Sequence, residues 1–262
     1  MCRPALVKPK SPVEGYLRAR LPALLKSNPN QMFDFLRPSP IPWAVAKRTR
    51  MTKETVLLKI DPGKIDHPQI KTAVDVMERE GIMVYPTETF YGLGALATSE
   101  RAVRGVYELK RREPAKPLPV VVSDLAMAEG IAASVPDVFR RLAGEFWPGP
   151  LTLILKAKPL FPALMLGPGG SIGMRIPKSP WLIELVGRLR APITATSANI
   201  SGDGAICEPA EMIALFGGKV DLIVDGGKTP GSLSSTILDL TGEKPRLVRA
   251  GAIPVSALAE YL

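Results

Sequence analysis

The chain has 262 residues, 46% of them apolar, with 34 Lys and Arg against 25 Asp and Glu, a formal net charge of +9. No stretch approaches the ~20 uninterrupted apolar residues of a membrane-spanning helix. Two cysteines without a CxxC pair, Cys2 and Cys207, point to a reducing, cytoplasmic setting and away from a disulfide scaffold or a zinc site.

The charge is unevenly spread. Residues 1–50 hold ten Lys and Arg against Glu14 and Asp34, together with eight prolines, which leaves 24 bases and 23 acids for residues 51–262. The high isoelectric point therefore gives the rest of the chain no nucleic-acid signature. A basic, Pro-rich segment of this kind buries too little apolar surface to offset its ordering entropy and reads as a disordered extension. Three explanations compete for it: an Arg-rich targeting peptide interrupted by Pro22, Pro29, Pro38, Pro40 and Pro42, a basic tail that touches RNA, or an upstream extension with Met51 as the working start. The last is favoured because 56–60 reads as the first strand of a domain.

From Met51 onward, strand-like and helix-like segments alternate. Strands are expected over 56–60, 82–85, 119–122, 151–155, 172–176, 193–196, 222–224, 236–240 and 246–248. Helices are expected over 69–80 (stopped by Gly81), 100–110 (capped by Ser99), 125–133, 137–146, 180–190, 209–216 and 255–261. Ser179-Pro180 pairs an N-cap with proline at the first helical position, and Gly217-Gly218 ends the helix before it. Strands outnumber helices and some are adjacent, so one α/β domain with a mixed sheet is the simplest reading.

The segment Tyr85-Pro-Thr-Glu-Thr-Phe-Tyr-Gly-Leu-Gly94 carries the most chemistry. Proline has no donor for a sheet ladder, so the strand stops at Pro86 and a loop rich in hydroxyls follows, then a helix. That helix ends on Lys110, Arg111 and Arg112, which either favour the negative end of its dipole or face an anion. Arg175 interrupts an apolar strand, where a charge needs a cleft or a partner. Ser197-Ala-Asn199 and Ser234-Ser235-Thr236 place small hydrogen-bonding residues at strand ends, and Arg249 closes the last strand. Separated cations, hydroxyls and an amide in such places fit a cleft for an anionic ligand.

Other motifs fail. Gly227-Lys228-Thr229 lacks the first glycine of a phosphate loop, since Leu222 stands there. Gly92-x-Gly94-x-x-Ala97 is separated from its strand by Pro86 and a polar loop, which is wrong for a dinucleotide fingerprint. The single histidine, His67, lies at a helix start as a solvated turn residue, so no Ser-His-Asp set can form. Catalysis by positioning and charge stabilisation fits better than a protein nucleophile.

Taken together, Pro86-Thr-Glu-Thr-Phe-Tyr-Gly-Leu-Gly94, Lys110-x-Arg112 and Ser197-x-Asn199 resemble the YrdC family of threonylcarbamoyl-AMP synthases. Trp147-Pro-Gly-Pro-Leu-Thr152, Ser235-Thr-Ile-Leu-Asp239 and Arg249-Ala-Gly251 support the likeness, which runs from about Met51 to the C-terminus. The resemblance implies a twisted mixed α/β sheet flanked by helices, with a concave, positively lined cavity. It implies conversion of L-threonine, bicarbonate and ATP to threonylcarbamoyl-AMP and pyrophosphate, for the threonylcarbamoyladenosine modification of tRNA. By the same correspondence Lys110 and Arg112 are catalytic. ATP falls to Lys110, Arg112, Ser171, Ser197 and Arg249, and Asn199 orients this loop or a ligand. Threonine falls to Thr89, Arg175, Ala195 and Ser235, with Arg175 as the fork for its carboxylate. Mg²⁺ is expected to arrive with ATP, and Glu88 is either its nearest carboxylate or a structural part of the loop.

The sequence also departs from the family. Relatives carry Asn-Pro-Leu and a histidine after the Lys-x-Arg pair. Here the run is Glu113-Pro-Ala-Lys-Pro-Leu-Pro119, with Val121 near the histidine's place, and Lys116 can supply another phosphate cation. The chain resembles the short form, which relies on a tRNA threonylcarbamoyl transferase complex for the transfer step. Two alternatives are an RNA-binding module of the same fold, contacting tRNA or double-stranded RNA, and a synthase of a different carbamoyl-adenylate.

Overall fold

The computed structural model describes residues 54–262 except Asp66, Ala115, Ser232 and the side chain of His67. The expectations for residues 1–50, and Cys2 with them, lie outside the described residues.

Eleven strands form two mixed sheets among these residues. The five-stranded sheet runs β1 (Val56–Lys59), β9 (Leu222–Asp225), β2 (Met83–Tyr85), β3 (Gly92–Gly94) and β8 (Thr196–Ser197). Its first three strands are parallel and the rest antiparallel. The six-stranded sheet runs β11 (Arg246–Arg249), β10 (Thr236–Asp239), β5 (Leu151–Lys156), β6 (Ser171–Arg175), β4 (Val120–Val121) and β7 (Ile193–Thr194).

The single sheet expected from the sequence is thus two, and the division falls inside one predicted strand. Segment 193–196 breaks at Ala195, because Ile193 and Thr194 pair with β4 while Thr196 pairs with β3. The turn is held by Ala195 N–H donating to Pro119 O at 2.8 Å and Thr194 N–H donating to Ala95 O at 2.9 Å.

A second correction concerns Gly92–Gly94, expected as loop and found as β3. A Cβ on Gly92 would stand 2.7 Å from Tyr85 Cε2, and one on Gly94 2.7 Å from Tyr85 Cε1. The ring of Tyr85 lies across both residues, so this strand must be bare of side chains on that face. Its hydroxyl donates to Thr194 O at 3.1 Å, and burial pushes the phenol well above its usual pKa.

Six α-helices are present among the described residues: α1 (His67–Glu78), α2 (Glu100–Lys110), α3 (Leu125–Ile131), α4 (Asp137–Phe146), α5 (Pro180–Leu189) and α6 (Pro209–Phe216). Ser99 and Ser179 cap α2 and α5 by accepting from Ala102 N and Leu182 N, which satisfies a donor that the first turn leaves open. Helix α1 stops because Glu80 takes a left-handed φ of 59° and Gly81 N–H reaches back to Val76 O, a helix-closing arrangement. The segment expected as a last helix shortens to a 3₁₀ turn, Val255–Leu258.

The inner strands of the five-stranded sheet, β9, β2 and β3, are buried, while β1 is largely exposed. Met83, Tyr85, Leu222 and Val224 meet Ile70 and Met77 of α1 and Trp181 and Leu185 of α5. Val84, Leu93 and Ile223 join the larger cluster of Val106, Leu153, Phe139, Trp147 and Phe216. Each such side chain removed from water contributes roughly 1.5–3 kcal/mol.

Candidate active site

A cavity of about 320 Å³ draws its walls from both sheets. Tyr85, Gly92, Thr196 and Ser197 come from the five-stranded sheet, and Thr152, Arg175, Ile237 and Arg249 from the other. Loops add Thr89, Arg112, Ala195 and Ser235.

The loop after β2 is shaped by its own hydroxyls. Thr87 Oγ1 donates to Phe90 O at 2.6 Å and accepts from Thr89 N–H at 3.1 Å. Gly231 N–H donates to Thr89 O at 2.8 Å. Tyr91 leaves the loop to donate to Gly227 O at 2.6 Å. Burial pushes its hydroxyl up to about 12, against a smaller lowering by the Gly226 N–H bond.

Three guanidinium groups converge on the cavity. Arg175 stands on β6, where strand alternation puts Ser171, Gly173 and Arg175 on one face and Ile172 and Met174 in the core. Arg175 is paired with Glu88 at 3.0 Å, and both side chains are nearly buried. Arg249 ends β11 and donates through Nη2 to Ser235 O at 2.7 Å and Ser235 Oγ at 3.1 Å. A Cβ on Gly251 would come within 2.2 Å of Ser234 O, so only glycine lets these two segments touch. Burial, and secondly the charge of Arg175, lower the pKa of Arg249. Arg112 donates to Lys116 O at 3.1 Å and Pro117 O at 2.9 Å, which ties the loop of residues 113–117 to the cavity rim.

Of the residues named from the sequence, Thr89, Arg112, Arg175, Ala195, Ser197, Ser235 and Arg249 line the cavity. Lys110, Lys116, Ser171 and Asn199 do not. Lys110 is only 1% exposed. Its ammonium donates to Ser197 O, to Asn199 O at 2.8 Å and to Asn199 Oδ1 at 2.8 Å. With three protons given to three protein oxygens, it has none left for a phosphate in this arrangement. Burial, and then the charge of Arg112, push it down to about 8 from 10.5.

Asn199 is the centre of that network. Its Oδ1 also accepts from Ser197 Oγ at 2.7 Å, and its Nδ2 donates to Asp203 O at 2.6 Å. Lys110 and Asn199 therefore fix the loop that carries Ser197. Lys116 pairs with exposed Glu113 at 3.2 Å and is not among the lining residues. Ser171 shares the face of β6 with Arg175 but lies roughly 13 Å along the strand at ~3.3 Å per residue. Thr152, read from the sequence only as part of the Trp147–Thr152 motif and given no site role, lines the cavity, 3% exposed, with Oγ1 2.9 Å from Ser235 Oγ. Its signal was available: like Arg175, it is a polar residue inside an apolar strand.

Fold and site together define a mixed α/β protein with a cationic, hydroxyl-lined cleft between two sheets. The chain belongs to the Sua5/YciO/YrdC family, described as telomere recombination, whose model matches residues 75–251. It is 34% identical over 199 residues to the threonylcarbamoyl-AMP synthase of Pyrococcus abyssi, covering 76% of this chain and 58% of that protein. A putative threonylcarbamoyl-AMP synthase of Methanocaldococcus jannaschii is 38% identical over 75% of this chain and 94% of its own length. The crystal structure of P. abyssi Sua5 complexed with L-threonine superposes with a TM-score of 0.75 at 33% identity, over 79% of this chain and 61% of that one. The chain thus spans about three fifths of the P. abyssi protein.

Proposed function

We propose that this chain is an L-threonylcarbamoyladenylate synthase. The observation that carries the reading is the meeting of Arg112, Arg175 and Arg249 with Thr89, Ser197 and Ser235 around one cavity. It is supported by the fold shared with a relative that holds L-threonine. Arg175 offers a planar fork to the amino-acid carboxylate. Thr89, Ser235 and the Ala195 backbone surround the remainder of the amino acid. Arg112 and Arg249 meet the triphosphate, and the Ser197 loop borders it.

Threonine's amine and bicarbonate condense to a carbamate with loss of water. A carbamate oxygen then attacks the α-phosphorus of ATP, and pyrophosphate leaves with the bonding pair. Such a transfer needs in-line positioning and neutralised charge rather than a protein nucleophile. Mg²⁺ would come with the nucleotide, held mainly by phosphate and water oxygens, and would add to the charge neutralisation that Arg112 and Arg249 offer the triphosphate. Among the described residues no three His, Cys, Asp or Glu side chains converge on a common point, and Glu88 already faces Arg175.

The product is the activated group for threonylcarbamoyladenosine in tRNA, passed to a transferase complex in the cytoplasm. No helix of the described residues is long and apolar enough to cross a membrane. The test is pyrophosphate release by the full chain with ATP, Mg²⁺ and bicarbonate, with and without L-threonine. Release that requires both threonine and bicarbonate is expected. Release indifferent to threonine would overturn the assignment and favour a different carbamoyl acceptor.

A further inference from the structure

Glu88 is the one residue of the Pro86–Tyr91 turn whose charge is enclosed, and it does not line the cavity. Its carboxylate splits its two oxygens between two tasks. Oε2 accepts from Lys178 N–H at 3.2 Å, which ties the loop to the segment just after β6. Oε1 lies 3.0 Å from Arg175 Nη1, yet it is buried and has no aligned hydrogen bond. The contact is Coulombic and off the N–H axis.

Arg175 is the other half of the arrangement. Among the described residues its guanidinium donates no hydrogen bond, although its side chain is only 10% exposed. A buried guanidinium needs a compensating charge, because the enclosed cation is costly on its own. It also shares the cavity with Arg249, a like charge that would push it aside. Glu88, which is not among the cavity-lining residues, supplies the compensating charge and leaves the Arg175 N–H groups without a protein acceptor among the described residues.

We propose that Glu88 is the positioning residue for the carboxylate end of the ligand, holding Arg175 in the cavity wall by charge alone. This rests on the reading of Arg175 as the amino-acid carboxylate site.

The chemistry separates a charge role from a packing role. Glu88→Gln keeps the size of the side chain and an oxygen for Lys178 N–H, but removes the charge. If Glu88 acts on Arg175, Glu88→Gln and Glu88→Ala must fail alike. If it only braces the loop, Glu88→Gln must behave as the parent protein.

The experiment is titration of ¹⁵N-arginine-labelled full-length protein with L-threonine and, separately, with acetate, following the Arg175 Nε–H resonance. Arg175→Ala assigns the signal. The expected result is a weakening of carboxylate binding by about tenfold in both Glu88 variants, with a displaced or broadened Arg175 resonance. Neither Glu88 variant should lower affinity further once Arg175 is alanine. Parent-like binding by Glu88→Gln, or a full additional loss on the Arg175→Ala background, would overturn the proposal. Because acetate binding needs no turnover, a failed synthase assay beside a positive titration would sink the activity and spare the role of Glu88.

Discussion

Replacing Lys110 by methionine removes an ammonium while keeping most of the side-chain volume. Asn199 O then loses its lysine donor, whereas Ser197 O keeps the Asn199 N–H and Asn199 Oδ1 keeps the Ser197 hydroxyl. One orphaned buried acceptor costs about 1–3 kcal/mol. Against this, the parent protein carries the burden of a buried cation. A fall from 10.5 to about 8 corresponds to about 3 kcal/mol at neutral pH. The two terms nearly offset at pH 7, so the variant should lie within about 2 kcal/mol of the parent there.

The sign of the pH dependence follows from the direction of the shift. The folded-state pKa lies below the unfolded one, so between about pH 8 and 10.5 the unfolded chain binds the extra proton. Stability from this group consequently rises with pH through that window, by about 2 kcal/mol between pH 7 and 9.5. Lys110→Met cannot share the rise. Urea unfolding followed by tryptophan fluorescence at both pH values should show the parent gaining that amount on the variant. A parent–variant difference independent of pH would refute the buried-ammonium description.

Gly92→Ala would drive a methyl to 2.7 Å from the Tyr85 ring and should lower stability by about 1–3 kcal/mol. Pairing it with Tyr85→Leu should recover part of the urea midpoint, and no recovery would mean the clash lies elsewhere. Lys116→Ala should leave the KM for ATP within about twofold, because this side chain is an exposed partner of Glu113 and such pairs are worth little. A larger rise would restore it as a phosphate ligand. Arg249→Ala should raise the KM for ATP by about tenfold or more, the scale of one charged hydrogen bond, and an unchanged KM would remove it from the nucleotide site.

The legible parts of the sequence were those where a local rule decides the outcome. Apolar runs gave the central strands, and Ser99 and Ser179 marked two helix starts through their own capping bonds. Arg175 stood out because a charge inside an apolar strand must answer to something beyond the strand. Gly92–Gly94 was hidden, since glycine has little preference for strand and the reason for it is the Tyr85 ring one strand away. Lys110 looked like a helix-end cation. Its burial depends on oxygens 87 and 89 residues further along, which no local rule reaches. One clue was present: Val103, Val106, Tyr107 and Lys110 share the buried face of α2, so the charge sits on the apolar stripe rather than beside it. The break at Ala195 was likewise invisible, because pairing with β3 and β4 decides it and the residues themselves do not.

That break makes the two sheets a single mechanical piece. Ile193 to Ser197 is one short length of chain whose first half is stitched into one sheet and whose second half is stitched into the other. Ala195, the residue at the bend, also forms part of the cavity wall. A molecule seated there touches both sides of the fold, so occupancy should brace the corner like a rivet. Slow amide exchange would then spread from the cleft into β3 and β4 together, and neither sheet would stiffen alone.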